Sequence, residues 1–373
     1  MIQISKIQLF ALIMIFEIGS TTLFALGIGA KQDAWIVVLL ASFVGFFLLW
    51  FYTQIAKFYP KQNFSEILNT LLGKKLAAPL LFLFGLYFLS NASHNFYEFG
   101  HLIKITALPT TPLLVILYIF IISAIYILSL GFEVLARTAE ILFPVFLIFL
   151  ITTYIIILFS GNFHISELQP ILGNGLSLIL TELDFVIAFP FGEMVVFLMF
   201  WHFVDNQKLL RKTAFMAVMF STVLVIFTLI SVIAVIGPDL AANTEIPLLE
   251  TILSINIGNI ITNLDVIAVL IMFIGGFFKM SLHFYGFILA LTWLLKAKNP
   301  KKVIFFSGLL FPLYVIYRFP GLDYKHWKGD LDMFGMLIFQ SIPILLVIIM
   351  YIKRKKIPSS KEENNNEVHT NNL

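Results

Sequence analysis

Long apolar runs, interrupted by short polar stretches, set the pattern of this chain. A bilayer core needs roughly 20 apolar residues per helix. Ten runs meet that measure, near 7–28, 34–56, 78–100, 112–130, 140–160, 183–203, 213–236, 264–293, 303–318 and 334–352. The ninth is short and contains Pro312. Residues 113–128 are apolar on every side, whereas a membrane β-barrel alternates in polarity over segments of about ten residues. The pattern predicts an all-α integral membrane protein with ten transmembrane helices. The first run follows Lys6 directly, is too long for a signal-peptide core and lacks a small-residue cleavage site, so it is read as a permanent span.

Positive charge gives the direction. With the N-terminus in the cytoplasm, 18 of the 24 Lys and Arg fall on the cytoplasmic side and 5 on the other, Lys279 being the last and lying inside a span. That asymmetry follows the positive-inside rule and supports an even number of spans. The two long outer segments are 161–182 and 237–263, and the second holds Ile246–Leu253, which predicts a short surface helix. Asp184 and Asp265 open spans six and eight, where an acid suits a helix N-terminus. Arg137 and Glu140 flank the start of span five, and Gly275-Gly276 permits close helix approach. Beyond the Lys353–Lys356 cluster the composition is too polar to fold, so 353–373 is expected to form a disordered cytoplasmic tail. Spans one to five, 1–160, form one half; the outer loop and the remaining spans, 161–352, form the other.

Composition agrees. Of 373 residues 60% are apolar and 12% charged, mean hydropathy is +0.97, and there are 41 Phe against 24 Lys and Arg. A soluble domain carries about 25% charge. This excludes most soluble enzymes and nucleic-acid binders, and a net charge of +3 suggests no electrostatic partner. The absence of cysteine excludes disulfides, thiolate nucleophiles and cysteine metal sites. Enzyme motifs with a mechanism behind them are also missing: HExxH, the P-loop, the dinucleotide glycine pattern and the nucleophile elbow. No catalytic residue, metal ligand or cofactor is expected.

The chemistry lies at mid-membrane. An ionisable side chain there costs roughly 2.5–3.5 kcal/mol on insertion scales and is a functional candidate by default. At about 1.5 Å rise per residue, Glu17, Glu193 and Lys279 all sit near the centre of their spans. Lys279 beside one of the two carboxylates would offset much of that cost; sequence leaves open which one. Phe16–Thr22 in span one and Phe189–Glu193 in span six are helix-weakening. Pro190 removes a donor, and Gly19 and Gly192 ease unusual backbone angles. These spans lead their respective halves if ten divide five plus five. Interrupted segments at matching positions point to a transporter binding site; an ordinary proline kink with glycine packing is the plainer alternative. Span three adds Asn91, His94, Asn95, Glu98 and His101 on one face with Tyr97 at its edge, a stripe that either lines a cavity or ties the bundle together. His283 stands one turn beyond Lys279. The resulting substrate-binding candidates are Glu17, Gly19, Ser20, Thr21, Asn91, Asn95, Tyr97, Pro190, Phe191, Gly192, Glu193, Lys279 and His283.

Several motifs, in order, carry a resemblance. They are Ile4-Ser5-Lys6-Ile7-Gln8-Leu9 followed by Glu17-Ile18-Gly19-Ser20, then Ala136–Pro144, Leu168–Leu172 with Gly175, and Phe189-Pro190-Phe191-Gly192-Glu193-Met194. Together they resemble the endospore germination permeases, the B subunits of bacterial nutrient germinant receptors, over essentially the whole chain to Lys356. The resemblance implies a fold of the amino acid–polyamine–organocation superfamily, with a five-plus-five inverted repeat and discontinuous helices one and six. It implies residence in the inner spore membrane, an A subunit and a lipoprotein C subunit as partners besides membrane lipids, and a small germinant such as an amino acid, nucleoside or sugar. Related carriers can use a lysine in place of a coupling ion, which suggests that role for Lys279. A proton-coupled amino acid transporter is the competing function.

Overall fold

The computed structural model describes residues 3–22, 24–254, 265–319 and 330–355. Twelve α-helices run through the described residues: α1 (Lys6–Thr21), α2 (Ala34–Phe58), α3 (Phe64–Leu72), α4 (Lys74–Thr106), α5 (Leu113–Leu130), α6 (Phe132–Phe159), α7 (Leu176–Ala188), α8 (Gln207–Asn243), α9 (Pro247–Leu253), α10 (Asp265–Leu294), α11 (Pro300–Arg318) and α12 (Asp330–Lys355). Four short 3-10 segments punctuate them, notably Ile28–Asp33 and Phe191–Met199. Eight helices are long and apolar enough to cross a bilayer, and they coincide with the second to fifth and seventh to tenth apolar runs. The first and sixth runs differ. α1 has 16 residues and α7 has 13, giving lengths of about 24 Å and 20 Å against a core of about 30 Å. α7 is continued by the 3-10 segment Phe191–Met199 rather than by more α-helix, whereas the 3-10 segment Ile28–Asp33 after α1 leads directly into α2.

Local sequence accounts for these ends. Ser5 and Gln8 form a reciprocal capping box at the start of α1. The helix stays intact through Glu17, Gly19 and Ser20 and ends at Thr21, at the far end of the expected Phe16–Thr22 stretch. Thr21 and Thr22 then donate their hydroxyls to the carbonyls of Glu17 and Ile18. α7 stops at Ala188 because Pro190 has no N–H to continue the ladder and drives Phe189 into an extended conformation, φ −133°. The following 3-10 run of nine residues is far longer than such helices usually reach.

Other boundaries moved. α7 begins at Leu176, so Asp184 lies within a helix and not at its N-terminus; its carboxylate accepts from the Phe185 N–H at 2.7 Å. α6 begins at Phe132, which places Arg137 and Glu140 inside it: Arg137 pairs with Glu133 at 2.5 Å, and Glu140 accepts from Gln8 at 3.0 Å. Pro312 sits within an uninterrupted α11. The helix near Ile246–Leu253 forms as α9, but it is half inserted, with Leu248 and Thr251 fully buried. The expected tail beyond Lys355 and loop residues 255–264 lie outside the described residues.

Packing is closest between α4 and α10, with α1 wedged among α6, α8 and α10. A Cβ on Gly19 would overlap the Gly275 backbone, and one on Gly275 would overlap Gly19. The two glycines therefore let α1 and α10 touch backbone to backbone. At the lysine-rich face the chain's start is stitched to the end of the span-six region. The Ile4 N–H donates to the Phe203 carbonyl at 2.8 Å, and the Asp205 N–H donates to Ile4 at 3.0 Å. Large apolar side chains such as Phe43, Ile119, Ile141 and Phe306 point outward, as a lipid-facing surface requires.

Candidate functional site

Where α1 and α7 end, one side chain joins them. Lys279 on α10 is fully buried, and its Nζ lies 2.7 Å from Glu193 Oε2 and donates to Ser20 Oγ at 2.9 Å. The ammonium sits 3.9 Å from the centre of the Phe189 ring and 5.2 Å from that of Phe16. The carboxylate left open by the sequence is thus Glu193. This cluster has a simple electrostatic logic. Ser20 closes the last turn of α1, and Phe189 directly follows the last turn of α7, so the cation stands near two carbonyl-rich helix ends that carry partial negative charge. An aromatic face adds to the attraction.

Glu17 completes the charged group. Both of its carboxylate oxygens are buried and accept no hydrogen bond among the described residues. The second Glu193 oxygen is also without a hydrogen-bond donor. His283 closes the floor. Its Nδ1 lies 3.0 Å from the Lys279 carbonyl and its ring packs on Phe16, leaving Nε2 buried without a partner. Glu17, Ser20, Glu193, Lys279 and His283 are at most 1% exposed. The arrangement holds one cation and two acids in a sealed, low-dielectric centre, where their interactions are strong. It can exchange protons or partners, but it offers no nucleophile activated by a base. Among the described residues, no group of three His, Asp or Glu is placed to hold a metal ion.

A second network braces the break in span six. Gln340 of α12 donates to the Ala188 carbonyl at 2.9 Å and to the Tyr87 hydroxyl at 3.1 Å. Tyr52 of α2 donates to the Gln340 carbonyl at 2.8 Å. The amide therefore replaces one of the intrahelical bonds that Pro190 abolishes. Gly192 belongs to this brace, because a Cβ there would collide with the Gln340 amide.

The remaining predicted residues divide. Gly19 provides the contact with Gly275, and Thr21 caps its own helix, so neither presents a side-chain polar group to Lys279. Glu193 N–H donates to the Pro190 carbonyl at 3.1 Å, which starts the 3-10 segment. Phe191 packs on Gly45 of α2, away from the ammonium; the ring under Lys279 is Phe189. Asn91 and Asn95 donate back to the carbonyls of Tyr87 and Asn91 in α4. Tyr97 packs on His101 and Phe319, apart from the charged group. Phe16, Tyr52, Tyr87, Phe189 and Gln340 had not been singled out. Gln340 had a signal, as an amide in the middle of an apolar run; the aromatic residues had none among 41 Phe.

Residues 3–320 match the family described as spore germination protein. The chain belongs to that family. This germination permease is 34% identical over 369 residues to spore germination protein KB of Bacillus subtilis (strain 168), covering 97% of this chain and 98% of that protein. It is 25% identical to spore germination protein YndE of the same organism, over 86% of this chain and 87% of that protein. It is 24% identical to spore germination protein XB of Bacillus anthracis, over 87% and 90% respectively. Among solved structures it is similar to Mhp1, a nucleobase-cation-symport-1 family transporter in a closed conformation with bromovinylhydantoin bound. The TM-score is 0.64 at 13% identity, covering 93% of this chain and 76% of that chain. At that identity the likeness is one of fold. The germination permease is thus an all-helical membrane protein with a transporter-like fold, from a family of permeases and not of enzymes.

Proposed function

We propose that this germination permease is the membrane-embedded B subunit of a spore nutrient germinant receptor. A small germinant, an amino acid in the first instance and otherwise a nucleoside or sugar, binds at mid-membrane beside the ends of α1 and α7. The observation that carries this reading is the Lys279 ammonium held between Glu193, Ser20 and Phe189 where span six breaks. Glu17, Gly192 and His283 complete the binding region, and Tyr52, Tyr87 and Gln340 position its walls. Because the group is sealed, the germinant enters only when the helices separate. It shifts the protein between arrangements by its differential affinity for them. The shift passes to an A subunit and a lipoprotein C subunit.

α1, and α7 with its 3-10 continuation Phe191–Met199, supply crossings one and six. This gives ten crossings in two inverted halves, 1–160 and 161–352, with both termini on the core side of the inner spore membrane. The test is a nutrient screen on spores lacking only this chain, complemented with wild type or with Glu17→Gln, Glu193→Gln or Lys279→Met. Loss of the response to one nutrient class, with the protein still in the membrane, is expected. Normal germination of all three variants on every nutrient overturns the reading.

A second reading is a proton-coupled amino acid transporter, with Lys279 standing where a coupling cation would. It is favoured by Glu17, a buried carboxylate with no hydrogen-bond partner that could accept the proton. Uptake of labelled amino acid into proteoliposomes by the chain alone, abolished by Glu17→Gln, would establish it.

A further inference from the structure

On the lysine-rich face, away from the charged centre, lies a cavity of about 700 Å³. Its walls come from the start of α3, the junction of α3 with α4, the end of the span-six region and the last turns of α10. Met199, Leu289 and Trp293 give it an apolar wall; Lys74, Lys296 and Lys298 are the charged residues of its lining, which contains no Asp or Glu. The one acid of the adjoining α3 first turn, Glu66, is already engaged, accepting from the Asn63 N–H at 3.0 Å.

Three further features converge there. α4 starts at Lys74 after Gly73, with no side chain capping its first N–H groups, and a helix start left in this way favours an anion. The half-buried His202 and Thr292 also belong to the lining, and their Nδ1 and hydroxyl have no hydrogen-bond partner among the described residues. Finally, α10 closes through bonds from Lys296 N–H to the Trp293 carbonyl at 3.2 Å and from Ala297 N–H to the Thr292 carbonyl at 3.0 Å. That closure demands a left-handed residue, normally glycine. Here it is Lys296, at φ +51°, so a strained position is given to a side chain that brings positive charge to the cavity.

We propose that this cavity is a binding site for a phosphate-bearing anion. Three lysines around an uncapped helix start suit a multiply charged oxyanion better than a single carboxylate. The phosphate belongs either to a soluble phosphate compound or to the headgroup of an anionic phospholipid. The site is independent of the mid-membrane reading, although Met199 ends the segment that carries Glu193 and Trp293 shares α10 with Lys279. An occupant would therefore touch both elements of the buried ion pair.

The full chain in uncharged detergent is titrated with inorganic phosphate at constant ionic strength, with chloride as the control anion. In a second arm it is placed in nanodiscs of phosphatidylcholine with or without phosphatidylglycerol. Trp293 fluorescence, isolated by subtraction of Trp293→Phe, is the readout. A saturable change with phosphate indicates a soluble occupant. A change confined to discs containing phosphatidylglycerol indicates the headgroup. In either case Lys74→Ala/Lys296→Ala/Lys298→Ala should weaken binding at least tenfold, and the corresponding triple arginine variant should retain it within threefold. If the triple alanine variant is not monodisperse, Lys298→Ala alone, at an exposed lysine, should weaken binding at least threefold. No saturable change in either arm, or unaltered affinity in the alanine variant that is read, overturns the proposal.

Discussion

Two sets of polar side chains lie within the apolar body of this protein, and they are satisfied in opposite ways. On α4, Asn91 and Asn95 turn back to carbonyls one turn earlier in their own helix. Around Lys279, by contrast, partners come from chain positions far apart: Ser20 on α1, Glu193 after the break in span six, and Lys279 on α10. The first set spends its donors locally, although the Asn95 side-chain oxygen has no partner among the described residues. The second fixes three elements relative to one another and still leaves Glu17 without a donor. Spacing along one helix is therefore a poor guide to function in a membrane, because a helix can absorb its own polar groups. A charge that no neighbour in sequence can neutralise is a better one.

The contrast can be broken most forcefully at Lys279. Lys279→Met leaves Glu193 buried with its cation gone, and removing one member of such a pair costs about 3–5 kcal/mol. Thermal unfolding in detergent should show that loss, and Lys279→Met/Glu193→Leu should recover most of it. If the double variant is no better than the single, the pair is not the organising contact. Gly19→Val should come next, since its side chain meets the Gly275 backbone. Overpacking of this kind costs about 1–3 kcal/mol, and the same melting assay should read it. Gln340→Leu strands the Ala188 carbonyl, with an expected loss of about 1–3 kcal/mol; unchanged hydrogen exchange at residues 185–193 would remove Gln340 from the brace. Asn91→Leu and Asn95→Leu sharpen the other side of the comparison. A polar contact between membrane helices averages about 0.6 kcal/mol, and these self-bonded side chains should give no more. A loss above about 2 kcal/mol at either would show that α4 polarity is not self-contained.

Much of the fold was legible because a bilayer sets a minimum length for every crossing: eight apolar runs became eight long helices among the described residues, though α6 and α8 extend six to eight residues beyond their runs. The break at Pro190 was also legible, since a proline without a donor leaves the chain little choice. What escaped was set by partners distant in sequence. Gly19 looked like a weak point in span one, yet it is a contact surface, and the helix continues past it because Gly275 packs there. Asp184 looked like a cap, but the apolar run gave no sign that its helix starts back at Leu176. Phe191 and Phe189 are equivalent in the sequence, and only the extended backbone at Phe189 decides which ring lies under the ammonium. Gln340 was visible as a polar residue in the last span, but not as the group that takes over the Ala188 carbonyl.

The stitch that bonds Ile4 to Phe203 and Asp205, on either side of its bridge partner Val204, has a mechanical corollary. Two lever arms, each leading from a different broken crossing, are clasped at the same end. If they tilt, they tilt as a yoke, and the pivots fall at the far ends of α1 and α7, beyond Thr22 and at Phe189, which is extended. Ile4 then belongs to the moving unit, and loss of its two backbone bonds would alter the motion as surely as a change beside Lys279.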